Sequence, residues 1–358
     1  MKTICLAMIV KNESAVIRRA LESVKPWIDS WVICDTGSTD GTEEIVFETM
    51  QGIAGGLHHV PWVDFGTNRA QAVKLASERA DYVLIMDADM VLNVKDPAFK
   101  EKLCADAYDL RYEGALDYVQ TMLVSSQHDW VYTGVTHEYI WSPSATIETK
   151  LFPGISLTHL CDGGMRADKF ERDICLLIQA VLKAPGNSRN IFYLAQSYKD
   201  LGLASEAFYW YGRRAEMGGF AEESWYAMYQ QAKMSVLLKQ DWQESLTLFM
   251  KAFQYRPTRI EPIYDVVCHY RELNDPRTAF LFAAHWGHHF PYPQDRLFID
   301  ATIYKYLMPY EFAFAAASIG QIGLADQALV QLERDARDVP WMQPWIQILK
   351  DKMLWNAA

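Results

Sequence analysis

Apolar positions in the first third of the chain alternate between continuous runs and helically spaced sets. The run at 4–10, from Ile4 to Val10, contains no charged or amide side chain, the pattern of a strand covered on both faces. Val16, Ile17, Ala20, Leu21 and Val24 then recur at helical spacing. The alternation continues with strands at 31–34, 57–60 and 82–86 and a helix at 68–79. Asp40, with Glu43 three positions on, has the spacing of a capping box opening a further helix. Such alternation builds a parallel sheet with binding groups at the carboxyl ends of its strands. From about residue 107 to 160 the texture becomes β-rich, and segments at 118–124, 130–132, 139–141 and 155–159 predict an antiparallel extension.

Beyond about residue 165 the periodicity is helical and it repeats. Turns around Gly202, Gln240 and Asn274 stand 38 and then 34 residues apart. Each precedes a helix carrying a small residue or Leu on one face: Ala204 and Ala207, Leu246, Ala279. A weaker copy sits at Ile322-Gly323-Leu324-Ala325, and Ala252-Phe253 followed by Pro257 matches the end of a tetratricopeptide repeat. Stacked helical hairpins have this period. The aromatic runs at 208–211 and 225–229 are expected to pack between helices. The fold class is therefore an α/β domain over 1–165 followed by an all-α tetratricopeptide-like domain over 166–358.

Composition narrows the functional classes. With 358 residues, half of them apolar, each domain can bury a core. A formal net charge of −11 disfavours a non-specific grip on nucleic acid, which needs a basic face. Six scattered cysteines without a C-x-x-C pair read as reduced thiols in a cytoplasmic protein. The apolar opening is short, meets Lys11-Asn12-Glu13 and has no small-residue cleavage site, so it reads as a first strand rather than a leader. No apolar stretch reaches the length of a membrane span.

Three carboxylates fall where parallel strands should end: Asp35, Asp87 and Asp89. In an extended chain, positions i and i+2 point the same way, so Asp87 and Asp89 would aim at one point. Two hard oxygen ligands suit Mg²⁺ or Mn²⁺. The segments Ala7-Met-Ile-Val-Lys-Asn-Glu13, Asp35-Thr-Gly-Ser-Thr-Asp-Gly-Thr42, Asn68-Arg69 and Asp87-Ala-Asp89 together resemble the family 2 glycosyltransferases of the GT-A fold. Gly134-Val-Thr-His-Glu138, Asp168-Lys-Phe-Glu-Arg-Asp173 and Phe192-Tyr-Leu-Ala-Gln196 resemble a bacterial and phage subgroup with tetratricopeptide-like helices after the catalytic domain. Peptide S-glycosyltransferases of the sublancin type are similar in layout.

The resemblance implies hexosyl transfer from a UDP-sugar, metal-dependent and with inversion. Asp35 would contact the base or ribose of the nucleotide, Asp87 the ribose or metal-bound water, and Asp89 the divalent cation. The cation would stabilise charge developing on the departing diphosphate. Arg69 would add a fixed charge near the nucleotide, and His159 would be a third metal ligand. Lys169 and Arg172, three apart on one helix face, would neutralise the leaving group, with Gly163-Gly164 permitting loop closure over it. Glu138, beside His137 and followed by Tyr139, Ile140 and Trp141, is the expected general base, although many relatives place an Asp at this step. His285, His288 and His289 lack a carboxylate or Cys partner at ligand spacing and read as structural. The acceptor is expected to be a peptide, protein or glycan, with a modified DNA base less favoured by the charge. The repeats offer a surface for self-association. The competing class is a helical-repeat scaffold with an inactive transferase domain, which would release no UDP from a UDP-sugar.

Overall fold

The computed structural model describes residues 1–113, 118–144, 146–160, 162–163, 169–284, 291–295 and 297–357. The chain divides into two compact units, Met1–Ala184 and Pro185–Ala358.

In the first unit, β1 (Ile4–Val10), β2 (Ser30–Asp35), β3 (Ala54–His59) and β4 (Tyr82–Ile85) run parallel. They are joined by α1 (Ile17–Val24), α2 (Thr42–Thr49) and α3 (Phe65–Ser77). Leu6, Val32, Ile33 and Val83 are fully buried, as the continuous apolar runs require. Each such side chain contributes roughly 1.5–3 kcal/mol of transfer free energy. Five further strands, β5 (Met90–Val94), β6 (Ala107–Glu113), β7 (Tyr118–Ser125), and beyond them β8 (Val131–Thr133) and β9 (Tyr139–Trp141), precede the long β10 (Thr149–His159). A final helix, α4 (Lys169–Lys183), lies within the same unit.

The β-rich region is not a separate layer. Strand β7 pairs antiparallel with β4 and carries the sheet on, giving the order β3-β2-β1-β4-β7-β6-β10-β5. Strand β10 is parallel to β6 and antiparallel to β5, so the sheet is mixed, in the GT-A-like manner expected. Strands β8 and β9 form their own two-stranded ribbon. The predicted capping box is not formed. Gly41, at φ +89°, is the N-cap of α2, while the Asp40 carboxylate accepts from Thr42 N and Oγ1 and from Ser14 N. Glu43 turns instead toward His59 Nδ1, 3.4 Å away.

The second unit is entirely helical among its described residues. It comprises α5 (Ser188–Asp200), α6 (Ala204–Glu216), α7 (Ala221–Leu237), α8 (Trp242–Tyr255), α9 (Glu261–Glu272), α10 (Pro276–Ala284), α11 (Met308–Ser318), α12 (Ile322–Asp335) and α13 (Gln343–Ala357). Four hairpin turns share one geometry. Gly202, Lys239, Asn274 and Gly320 each adopt positive φ. In each case the next N–H reaches back five residues: Leu203 to Tyr198 O, Gln240 to Ser235 O, Asp275 to Tyr270 O and Gln321 to Ala316 O, at 2.9–3.0 Å. This left-handed cap satisfies carbonyls at each helix end and explains the recurring turn signal. Ala207, Ala227, Ala232, Ala252 and Ala279 are buried on the facing helix surfaces, where small side chains let helices approach closely. Tyr211 and Trp225 from the aromatic runs are buried as expected, whereas Tyr209 is exposed. His285, His288 and His289 lie outside the described residues, as do Gly164 and Asp168.

Candidate functional site

The carboxyl ends of β1 and β2 carry two loops tied to each other by their own side chains. Asn12 takes φ +55°, a conformation Asn tolerates better than most residues. Its N–H donates to Ser38 Oγ at 2.9 Å, and its Oδ1 accepts from Thr39 N at 2.8 Å. Glu13 N donates to Thr42 Oγ1 and Ser14 N to Asp40 Oδ2. The Asp40 carboxyl is consequently low, at about 2: burial would raise it, but the hydrogen bonds from Thr42 and Ser14 together outweigh that. The polar residues of Lys11-Asn-Glu-Ser and Asp35-Thr-Gly-Ser-Thr-Asp-Gly-Thr are thus explained largely by one another.

Asp35 closes β2 and is 1 % exposed. Its Oδ1 accepts from Gly37 N at 2.6 Å and Ser38 N at 2.7 Å, a turn that needs the positive φ of Gly37. Its Oδ2 is buried and has no hydrogen-bond partner within the protein. A buried acceptor left unmet is costly, so this oxygen calls for a donor from outside the chain. Asp35, Glu43 and His59 bring possible ligand atoms within 4.8 Å of one another at the tips of β2 and β3.

Asp87 and Asp89 follow β4 on a turn rather than an extended segment, since Met90 N donates to Asp87 O at 3.1 Å. The expected parallel aim of the two side chains is therefore replaced by separate partners. Asp89 Oδ2 lies 3.1 Å from His159 Nε2, at the end of β10. That hydrogen bond raises the pKa of His159. Burial pushes Asp89 up, but the contact with His159 prevails and holds it below the usual carboxylate value. Asp87 Oδ1 lies 2.6 Å from Arg69 Nη1. Arg69 Nε lies 2.6 Å from Glu138 Oε1, off the N–H direction, so this contact is ionic rather than a directed hydrogen bond. Arg69 is not a surface residue of α3: its side chain is 14 % exposed and bridges two carboxylates. Burial disfavours its charge, yet Asp87 and Glu138 together hold its pKa well above the ordinary value.

These side chains border two adjoining cavities. The first, about 280 Å³, is lined by Lys11, Glu13, Thr36, Trp62, Asp89 and their neighbours. The second, about 310 Å³, is lined by Gln120, Tyr132, His137, Glu138 and Asp173 among others. Arg69, Asp87, His159, Lys169 and Arg172 border both. Arg172 is steadied by the Phe65 ring, 5.1 Å from its guanidinium carbon. The structure therefore brings Arg69, Asp87, Asp89, Glu138, His159, Lys169 and Arg172 together, while Asp35 sits beside Thr36 at the rim without itself lining either cavity. Sequence reasoning assigned no roles to Lys11, Glu13 or Asp173. The first two carry a signal in their position directly after β1 and in the Ala7–Glu13 motif, and Asp173 carries one in the Asp168–Asp173 motif and in its helical spacing from Lys169.

Parts of the chain are similar to known proteins. Residues 5–170 match the family model described as Glycosyl transferase family 2. A TPR repeat-containing protein of Synechococcus elongatus is 38 % identical over 90 residues, covering 25 % of this chain and 21 % of that protein. The chain thus matches about a fifth of that relative's length. Among solved structures, S. aureus TarS 1-349 is 12 % identical, covers 84 % of this chain and 97 % of that one, and has a TM-score of 0.36. The structure of MamA is 18 % identical over 47 % of this chain and 87 % of that one, with a TM-score of 0.32. No helix among the described residues is long and apolar enough to cross a membrane.

Proposed function

We propose, from the premise that residues 5–170 form a family 2 glycosyltransferase domain, that the chain transfers a hexose from a UDP-sugar to an acceptor within the two cavities of its first unit. The observation that carries this reading is Arg69, which bridges Asp87 and Glu138 where the cavities adjoin. Donor and acceptor groups can meet there.

In this reading Asp35 accepts an N–H or O–H of the nucleoside through its unmet Oδ2, and Asp87 binds the ribose or a metal-bound water. Lys169 and Arg172 face the diphosphate and offset the negative charge that grows as UDP departs. Asp89 and His159 supply one oxygen and one imidazole nitrogen, a donor set suited to Mn²⁺ and, through the carboxylate, to Mg²⁺. Asp87 joins them if it leaves Arg69. A divalent cation held there would supply Lewis-acid stabilisation of the leaving diphosphate. Glu138 takes the proton from the attacking hydroxyl or thiol, and displacement from the face opposite the nucleotide inverts the anomeric centre. The acceptor is a peptide, protein or glycan, with a modified nucleobase the least favoured. An extended partner suits a helical-repeat surface, which also provides a means of self-association. The setting is cytoplasmic.

The test is UDP release from a panel of UDP-sugars with Mn²⁺, comparing the wild type with Glu138→Gln. The variant is expected to bind UDP normally and to transfer sugar ~100-fold more slowly. Full transfer activity in the variant removes Glu138 from the mechanism.

A further inference from the structure

We propose that Asp173, together with Gln120, reads the hydroxyls of the transferred sugar and so sets the donor preference. This rests on the transferase reading above and goes beyond it, since neither residue belongs to the nucleotide, metal or base groups.

Lys169, Arg172 and Asp173 stand at i, i+3 and i+4 of α4, so they share one helix face. The cavities divide them. Lys169 and Arg172 border both, whereas Asp173 and Gln120, on β7, line the second. The Asp173 side chain is 3 % exposed, and its ion pair runs to Arg172 Nη2 at 3.4 Å. That is long for a charge-assisted hydrogen bond, which is typically about 2.7–2.9 Å. Arg172 is also drawn toward the Phe65 ring. A nearly buried carboxylate so weakly paired retains accepting capacity toward the cavity it lines. A neutral O–H donor is the ligand that meets this need at least cost, because a phosphate would be repelled.

The two cavities consequently sort the parts of one donor molecule. Cations border both and suit the diphosphate. The second cavity adds an acceptor-only carboxylate and an amide that both donates and accepts, the complement of neighbouring sugar hydroxyls. At about 310 Å³ it lies at the small end of ligand sites, which suits a single sugar ring rather than an oligosaccharide.

The experiment measures dissociation constants of UDP, UDP-glucose, UDP-galactose and UDP-N-acetylglucosamine by calorimetry with Mn²⁺ on the full chain. Wild type, Asp173→Asn and Gln120→Ala are compared. For the preferred donor, the ratio of the UDP constant to the UDP-sugar constant is expected to fall about 10- to 100-fold in Asp173→Asn, with UDP binding itself kept within about twofold. The donor KM should rise in parallel. Gln120→Ala, at a half-buried strand position, carries the same test with a smaller fall if Asp173→Asn does not fold. A ratio unchanged in the folded variants, or UDP and UDP-sugar affinities lost together, overturns the proposal and leaves the transferase reading standing. Absence of UDP binding to the wild type overturns both.

Discussion

Replacing Arg69 by Met removes the cation that, among the described residues, bridges Asp87 and Glu138, both 2.6 Å from it. With charge centres about 4 Å apart and an effective dielectric near 20, each pair gains roughly 4 kcal/mol of Coulomb energy. Much of that is offset by desolvating the guanidinium, so the sum is no measure of net stability. The loss on substitution is better reckoned from what remains, two like charges in a cleft without a partner. Breaking a buried pair from one side costs about 3–5 kcal/mol. Asp87 and Glu138 keep 28 % and 11 % of their side-chain exposure, so water recovers part of this. The expected destabilisation of the first unit is about 3 kcal/mol. Arg69→Lys should fall between, because a point charge on a flexible stem cannot bridge both carboxylates as a guanidinium does. Urea unfolding followed by hydrogen exchange reads the strands of the first unit separately from α5–α13. Stability of Arg69→Met within about 0.5 kcal/mol of wild type would show that the bridge does not offset the charges of Asp87 and Glu138.

Two further perturbations probe the scaffold of the site. The Asp40 carboxyl sits at about 2, below its ordinary 3.8, so its contribution to stability is present above about pH 3.8 and lost as pH falls through about 2. Asp40→Asn should therefore be less stable than wild type near neutrality, with the gap closing in that acid window; a gap that stays constant down to about pH 2 would contradict the assignment. At Gly163, an added Cβ would lie 2.8 Å from Asp89 Cβ and 3.0 Å from Glu13 Oε2. Gly163→Ala is expected to displace the Asp89 carboxylate and weaken Mn²⁺-dependent UDP binding about tenfold, while circular dichroism stays unchanged. Unaltered UDP affinity would show that the neighbours yield without moving Asp89.

What could be read from sequence follows the range over which each feature is specified. Strands β1, β2 and β4 are covered on both faces and show as continuous apolar runs. Two of the repeat turns show because Gly202 and Asn274 occupy left-handed positions that few other residues accept. Strand β5 escaped notice because it follows the Asp87–Asp89 turn directly, and the start of β10 because Thr149, Lys150 and Leu151 are exposed. In the site, the strand-end carboxylates Asp35, Asp87 and Asp89 were legible from the sheet pattern alone. Their partners are not legible from that pattern, and His159 comes to Asp89 only through the family resemblance. Arg69 reaches Glu138 across 69 positions, and Asp89 reaches His159 across 70, distances that no local periodicity encodes. Glu43 stands at capping-box spacing but does not cap, because Gly41 supplies the N-cap and the Asp40 carboxylate is drawn across to Ser14.

Among the described residues, two groups of side chains offer themselves to a divalent cation: Asp89 with His159, and Asp35 with Glu43 and His59. Stabilising the departing diphosphate requires the first, because Asp89 and His159 line the same cavity as the cations Lys169 and Arg172. Crystals grown with Mn²⁺ and UDP, with data collected for manganese anomalous scattering, separate the two directly. The predicted peak lies beside Asp89 and His159, in contact with the diphosphate. A peak held by Asp35, Glu43 and His59, with none beside Asp89, would contradict the account.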